Sequence, residues 1–169
     1  KKELISGDTL LMRTRLMADV NAAIRGAFDG GADEVTVATG AVAKRIPVKG
    51  ADTAIEAIDF LLGKAEVGEN VVVIGGGLTG CEIAYELALQ GKKPIIVEMK
   101  DDLVSQKGVC LANSSYLREW FALHKTPVYL ETTLQAVNDG HIVCKDKDGN
   151  EVKIDCDSVI SSAGYIPNQ

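Results

Sequence analysis

Apolar residues in the second half of the chain alternate between unbroken runs and helical spacing. Residues 71–74 (VVVI) form a continuous apolar run, typical of a strand covered on both faces of a parallel sheet. Residues 78–90 then carry apolar side chains three and four positions apart, which predicts a helix. Further strands are predicted over residues 95–98 and 128–130, with a helix over residues 115–124 between them. This order predicts an α/β fold with a parallel sheet and helices on both faces.

Shorter alternating segments follow near the end of the chain. Residues 134–137, 141–144 and 151–154 are separated by the turn sequences DG and DGN, so we predict an antiparallel β-meander. Residues 157–162 are predicted to form a last strand, which runs into Ala163 and Gly164.

The first half of the chain predicts a different set of elements. We expect a helix over residues 10–30, a strand over 34–38, an extended linker over 41–50 and a second helix from Thr53. Thr53 and Glu56 have the spacing of a capping box. The polar connection that ends near Asn70 is the best candidate for a domain boundary, so we predict two parts, residues 1–67 and 68–169. The apolar face of the second helix would be Ile55, Ile58, Leu61 and Leu62.

Charge and composition exclude several classes of partner. The 169 residues are 46% hydrophobic, with 18 basic and 24 acidic side chains interspersed, for a net charge of −6. Such a chain is not expected to bind nucleic acid, and no apolar run is long enough to cross a membrane. The four cysteines form no C-x-x-C pair and the two histidines do not cluster with them, so we predict no metal site and reduced thiols in a cytoplasmic protein.

The strongest chemical signal is the sequence GGGLTG at residues 75–80. It fits G-x-G-x-x-G, follows a buried strand and opens a helix, which together favour a Rossmann-like dinucleotide-binding domain. Gly75 would permit the tight turn, Gly77 would let a pyrophosphate approach the backbone, and Gly80 would let the helix pack closely on the strand. The free backbone amides of the first helical turn, including those of Leu78 and Thr79, would face the phosphates.

A carboxylate lies at the distance expected for ribose recognition. Glu98 ends the next strand, roughly 20 residues beyond the glycines, where it can accept hydrogen bonds from the adenosine ribose hydroxyls. Its charge would repel a 2′-phosphate, which favours NAD(H) over NADP(H). Lys100, two positions on, could partly offset that charge.

No residue is predicted to be a catalytic acid, base or nucleophile. His124 and His141 are interpreted as a helix-end residue and a strand residue, and Trp120 as part of the core or an interface. Glu82 has two interpretations, either a carboxylate that complements the helix dipole or a residue near the cofactor. The hydride chemistry would belong to the cofactors, with the protein supplying orientation.

Several motifs together resemble one group of flavoenzymes. The stretch 33–169 is similar to the C-terminal part of the 2-enoate reductases and 2,4-dienoyl-CoA reductases, in which an NAD domain is inserted into an FAD domain. The linker and helix at 41–62 and the string GCEIA at 80–84 look closest to 2-enoate reductases. The resemblance rests on residues 33–40 (DEVTVATG), 75–82, 97–99 (VEM) and 162–168 (SAGYIPN).

The resemblance implies a larger parent enzyme. That enzyme would carry FMN in a barrel domain and an iron–sulfur cluster, and electrons would pass from NADH through FAD, the cluster and FMN to an activated carbon–carbon double bond. Glu82 would lie near the nicotinamide, and Ala163 and Gly164 would approach the bound dinucleotide. A second glycine loop for FAD, the barrel and the cluster cysteines are not in this sequence. We therefore expect a fragment, a remnant of the FAD half followed by the NAD(H) domain, which needs the remainder of the parent enzyme for the full reaction.

Two alternatives stay open at this point. A stand-alone nucleotide-sensing module can share the glycine loop and the ribose carboxylate. The other is a fusion, since residues 15–26 look like a helix of the metal-dependent D-aminopeptidases, although the chain has ATG at residues 38–40 where that family supplies metal ligands. We expect no peptidase chemistry, because those ligands are missing.

Overall fold

A computed structural model describes residues 20–34 and 40–168 of the chain. Two compact units are present, of which the larger comprises Ala43–Ile166. In the smaller unit, helix α1 (Val20–Asp29) is the described part of the helix predicted over residues 10–30. The strand predicted over residues 34–38 lies outside the described residues, except for Glu34.

The core of the larger unit is a five-stranded, fully parallel sheet. Its strand order is β2-β9-β3-β4-β5, so the last strand of the sheet in sequence, β9, lies beside the first long one, β3. Val71, Val72 and Val73 in β3 are fully buried, as the unbroken apolar run predicts. The strands are β2 (Ile55–Glu56), β3 (Asn70–Ile74), β4 (Lys93–Val97), β5 (Val128–Tyr129) and β9 (Ser158–Ser161).

Three helices pack against one face of this sheet. They are α2 (Ala57–Leu61), α3 (Leu78–Leu89) and α4 (Leu111–Leu123), the last beginning one turn before the predicted start. Their buried residues, including Leu87 and Phe121, form one core with Val71 and Val73. Adjacent residues of a strand point to opposite faces, so Val72 belongs to a different core.

The opposite face is covered by the β-meander, where the sequence had predicted a second layer of helices. Its strands form a three-stranded antiparallel sheet in the order β6-β7-β8. Ile142, Cys144 and Ile154 of this sheet are buried against Val72 and Val97. The meander is confirmed, and its apolar face takes the place of helices on that side. Its strands are β6 (Thr133–Asn138), β7 (His141–Lys145) and β8 (Glu151–Asp155).

The segment from residue 41 to residue 62 differs most from its prediction. Residues 41–43 form strand β1 (Ala41–Ala43) instead of starting a linker, and this strand pairs with the unpredicted strand β10 (Tyr165–Pro167). The helix predicted from Thr53 is wrong over its first half, because Ala51–Thr53 is a 3₁₀ turn and Ile55 pairs with Ile160 in the parallel sheet. The Thr53 hydroxyl donates to the Gly50 carbonyl at 2.7 Å, so no capping box forms.

The predicted apolar face of that helix is also wrong. Ile58, Leu61 and Leu62 are 40–59% exposed, and Ala57 is the buried residue of α2. The compact unit Ala43–Ile166 thus includes residues that precede the predicted boundary at Gly68. Which residues derive from the FAD half of a parent enzyme stays a prediction.

Candidate functional site

A cleft of about 690 Å³ opens at the carboxyl ends of β3, β4 and β9. This volume lies within the usual range for small-molecule sites, and the carboxyl edge of a parallel sheet is the usual place for them. Its walls are the glycine turn after β3, the residues that follow β4 and β9, an extended segment at residues 44–48, and the start of β6.

The glycine turn is held by close backbone packing. Gly75 has a φ of 106° and its N–H donates to the Val97 carbonyl at 2.8 Å. A Cβ on Gly75 would collide with the carbonyl oxygen of Ser162, and one on Gly80 with the carbonyl oxygen of Gly75. Both collisions involve backbone atoms, so these two positions accept only glycine without a shift of the main chain. Gly80 is buried and does not line the cleft.

A third glycine, Gly76, is also closely packed, which the motif does not indicate. A Cβ at this position would lie 3.0 Å from the Cβ of Glu98 and would also meet the side chain of Leu103. The motif G-x-G-x-x-G allows any residue at the position of Gly76. The restriction on side-chain size at this position comes from the packing of the loop after β4.

Glu98 is held tightly at the edge of the cleft. The residue is 8% exposed. One carboxylate oxygen accepts the Gly76 N–H at 2.5 Å, and the other accepts the Lys100 N–H at 2.8 Å. A carboxylate offers about four acceptor positions, so two remain for a ligand. Glu98 lines the cleft together with the glycine turn, as the sequence predicts.

The start of helix α3 faces the same cleft. Gly77 is the N-cap residue with an extended backbone, and Leu78 and Thr79 line the cleft. The Leu78 N–H donates to the side-chain oxygen of Gln106 at 3.4 Å. The amide nitrogen of Gln106 lies 2.6 Å from the point that a Cβ on Gly77 would occupy. A side chain from the loop after β4 therefore reaches into the space predicted for a pyrophosphate.

Positive side chains line the cleft in spite of the acidic composition. Lys44 and Arg45, both exposed, enter from the extended segment after β1, and Lys100 follows Glu98. With Glu98 as the opposing carboxylate, the lining carries three cations to one anion. The sequence gives no periodic or motif signal for Lys44 and Arg45, because the tertiary structure brings them across from another segment.

The structure brings together most, but not all, of the predicted site residues. Gly75, Gly77, Leu78, Thr79, Glu98, Ala163 and Gly164 all line one cleft. Glu82 does not line it, and its side chain is exposed on α3. Among the residues that sequence reasoning missed are Gly76, Lys44, Arg45, Ser105 and Gln106.

Cys81, His124 and His141 do not line the cleft. Cys81 is buried under the glycine turn, where its thiol donates to the Gly76 carbonyl at 3.4 Å. Burial, with the charge of Glu98 nearby, raises the pKa of Cys81 to about 12, so the thiol is neutral at physiological pH. His124 stacks on Trp120 at 3.9 Å on the outer side of α4, and His141 begins β7.

Neither a cluster of metal-ligating side chains nor a membrane-spanning helix is found in the part of the chain that the structure describes. Over residues 20–34 and 40–168, no group of three or more His, Cys, Asp or Glu side chains is arranged to hold a metal ion. Over the same residues, no helix combines the length and apolar character needed to cross a bilayer.

Comparison with known proteins places the chain among flavin enzymes. The family described as pyridine nucleotide-disulphide oxidoreductase matches residues 13–169, a range that includes all of residues 15–26, the segment compared above with D-aminopeptidases. A cinnamate reductase from Clostridium sporogenes is 38% identical over 137 residues, which is 80% of this chain and 20% of that protein. An NADH oxidase from Thermoanaerobacter brockii is 46% identical over 77 residues, covering 42% of this chain and 12% of that protein.

Solved structures agree with this assignment. A 2-naphthoyl-CoA reductase has a TM-score of 0.67 and 28% identity, covering 76% of this chain and 19% of that one. An FAD-dependent pyridine nucleotide-disulphide oxidoreductase from Desulfovibrio vulgaris has a TM-score of 0.61 and 25% identity, covering 80% and 36% of the two chains. This chain spans about a fifth of the length of the cinnamate reductase.

Proposed function

Because this chain belongs to the pyridine nucleotide-disulphide oxidoreductase family, we propose that its larger unit binds NAD(H) for a flavin-dependent oxidoreductase. The observation that carries the proposal is the convergence of the glycine turn and Glu98 on one cleft at the carboxyl edge of the sheet. A dinucleotide has a diphosphate and an adenosine ribose at a fixed separation, and this cleft offers backbone amides for the first and a carboxylate for the second.

The diphosphate would lie against the start of α3. Gly77 has no Cβ that would keep a phosphate away from the backbone. The Leu78 N–H points toward the cleft. The positive end of the helix dipole favours an anion at this place. Lys44 and Arg45, which line the same cleft, would add to the attraction, because the lining has an excess of positive charge.

The adenosine ribose would lie against Glu98. The hydrogen bonds from Gly76 and Lys100 hold the carboxylate in place, so little side-chain entropy is lost when two ribose hydroxyls donate to it. A 2′-phosphate at that position would meet a negative charge in a largely buried site, which favours NADH over NADPH.

The chemistry of the complete enzyme belongs to its cofactors. A bound NADH would supply a hydride to FAD, and this chain's residues would bind and orient the dinucleotide. Ala163 and Gly164 line the cleft beyond β9 and would form the wall along which the dinucleotide extends. FAD, FMN and an iron–sulfur cluster would be held by the remainder of the parent enzyme, so we expect the isolated chain to be inactive.

The substrate class is inferred from the relatives. Cinnamate reductase and 2-naphthoyl-CoA reductase are both named for conjugated acyl substrates. We therefore propose that the complete enzyme reduces an activated carbon–carbon double bond. Glu82 would take part near the nicotinamide only in the complete enzyme, because its side chain is exposed here and outside the cleft lining.

Calorimetric titration of the chain with NADH and NADPH tests the cofactor assignment. We expect NADH to bind at least about tenfold more tightly than NADPH. The Glu98 carboxylate would repel the 2′-phosphate of NADPH, and like charges placed together cost several kcal/mol. Glu98→Gln should weaken NADH binding about tenfold, the loss of a charged hydrogen bond, and narrow the preference for NADH. Glu119→Gln removes the same charge from an exposed position outside the cleft and is the matched control. Equal affinity of the wild-type chain for both cofactors would refute the role of Glu98.

A chimera tests the enzyme class. The matching segment of the Clostridium sporogenes cinnamate reductase would be replaced by residues of this chain, which is 38% identical over 137 residues. We expect the purified chimera to oxidise NADH with cinnamate as the acceptor, measured by the loss of the near-ultraviolet absorbance of NADH. A chimera that folds, retains its flavins and binds NADH but transfers no electrons would argue against the oxidoreductase role and favour a nucleotide-sensing module.

A further inference from the structure

The loop between β4 and α4 (residues 98–110) is anchored to the glycine turn by a backbone hydrogen bond. The Val104 N–H donates to the Gly76 carbonyl at 2.7 Å, and both residues are buried. The Arg118 guanidinium, from α4, donates twice to the Leu103 carbonyl, at 2.6 and 2.9 Å. Val104 has a φ of 47°, a conformation that is a clear outlier for a β-branched residue and persists only where its surroundings impose it. The anchor therefore fixes where the next residues of the loop lie.

Two residues beyond the anchor, Gln106 reaches over the start of α3. Its side-chain oxygen accepts the Leu78 N–H at 3.4 Å. Its side-chain nitrogen lies 2.6 Å from the position that a Cβ on Gly77 would take, although the residue is exposed. The amide group thus lies at the place where Gly77 and Leu78 are proposed to meet a diphosphate.

We propose that Gln106 is an internal competitor for the diphosphate site. Its side chain lies on the N-terminus of helix α3 and must move away before a dinucleotide binds. This inference rests on the proposed NAD(H) site and adds a control on its affinity. Gln106 provides an oxygen acceptor for the Leu78 N–H, as a phosphate oxygen would, but it carries no charge. Its hydrogen bond is long and exposed, so the diphosphate can displace it at small cost.

The proposal predicts opposite effects for two substitutions of Gln106. Gln106→Ala vacates the site and should tighten NADH binding about 2- to 5-fold, the equivalent of one weak hydrogen bond. Gln106→Glu places a carboxylate on the positive helix end, which should hold the competitor more firmly and weaken NADH binding about tenfold. Gln90→Ala is the matched control, because Gln90 also makes an exposed side-chain hydrogen bond, to Glu86, far from the cleft lining.

Calorimetry on the 169-residue chain would measure the affinities for NADH and for inorganic diphosphate. Hydrogen exchange, with no nucleotide added, would measure the protection of the Leu78 amide. We expect the Leu78 amide to exchange faster in Gln106→Ala, at an unchanged melting temperature. For NADH and for inorganic diphosphate alike, affinity should be highest in Gln106→Ala, intermediate in wild type and lowest in Gln106→Glu. If the wild-type chain binds NADH and Gln106→Ala binds it equally or more weakly, the competitor is refuted while the NAD(H) site stands. If neither the wild-type chain nor Gln106→Ala binds NADH, the proposed function fails, and this inference fails with it.

Discussion

The two ends of the five-stranded sheet use their backbone polar groups in contrasting ways. At the amino end, one Asp157 carboxylate oxygen accepts the Asn70 N–H at 2.7 Å and the Glu69 N–H at 3.1 Å. Lys92 completes this end by donating to the carbonyls of Val67 and Gly68. The amino end is thus closed by the chain's own charged side chains.

The carboxyl end is closed only in part. Glu98 accepts two backbone N–H groups there, but the Leu78 N–H is met by a neutral side chain at 3.4 Å. The backbone donors that bind ligands in this fold class are those left weakly satisfied at the carboxyl edge. A ligand at the carboxyl end would therefore meet a backbone N–H that the chain satisfies less fully than those at the amino end.

The largest expected effect comes from Gly80→Ala at the carboxyl end. The added Cβ would collide with the carbonyl oxygen of Gly75, so the turn and the helix must move apart. We expect a loss of roughly 2–4 kcal/mol in the free energy of unfolding, measured by denaturant melts, as for overpacked core sites. Gly26→Ala is the control, since a Cβ on that helical glycine meets nothing within 4 Å. Similar stability of Gly80→Ala and wild type would show that the turn is not held by backbone contact.

Gly77→Ala separates binding from stability at the same turn. The atoms nearest to its Cβ would all belong to the side chain of Gln106, which is exposed and can move. We expect stability close to wild type, but NADH affinity about tenfold weaker, or about 1.4 kcal/mol, because the Cβ stands where the diphosphate approaches. Calorimetry and a thermal melt on the same sample make the distinction. A variant with wild-type affinity would contradict the proposed position of the diphosphate.

Arg118→Met tests the anchor of the β4–α4 loop. Methionine keeps much of the length of the side chain but loses both hydrogen bonds to the Leu103 carbonyl and the ion pair with Asp102. We expect a loss of about 1–2 kcal/mol in stability, with faster hydrogen exchange at Val104. Lys147→Met breaks a more exposed pair with Glu131 and should change stability by less than about 0.5 kcal/mol. Unchanged exchange at Val104 would mean that the loop is held by other contacts.

Asp157→Asn gives the smallest effect and depends on pH. The hydrogen bonds from Asn70 hold the pKa of Asp157 below its usual value of 3.8. A lowered folded-state pKa stabilises the fold above the unfolded-state pKa, and this stabilisation is lost as pH falls through the folded-state pKa. Melting temperatures should therefore differ between wild type and variant near neutral pH and converge in acid. A difference that persists in acid, below the folded-state pKa of Asp157, would assign the effect to side-chain shape rather than charge.

The second half of the chain was predictable because its signals are local. The run at residues 71–74 and the spacing over α3 each depend on a single element, and both elements formed as predicted. The segment around Ile55 was not predictable in this way, because its apolar residues fit a helix and a strand equally well over so short a range. Its pairing with β9 connects residues about a hundred positions apart, which no local pattern reports.

The candidate site divides along the same line. The glycine turn, the first turn of α3 and Glu98 lie within about one strand–helix–strand unit, so their meeting in one cleft follows from the motif. Lys44 and Gln106 arrive from segments without a motif and are seen only in three dimensions. Glu82 shows the reverse, since it lies beside the motif in sequence while its side chain is on the exposed side of α3.

The amino-acid sequence alone determined the parallel sheet, the glycine turn and the position of a carboxylate, Glu98, at the end of the next strand. Glycine geometry and apolar periodicity act between near neighbours, so a local pattern reports them. The tertiary structure decided that the meander, and not helices, covers the second face of the sheet, and that Gln106 lies on the helix N-terminus. These outcomes depend on which distant surfaces fit together, and the burial and hydrogen bonds that select them exist only after the chain has folded.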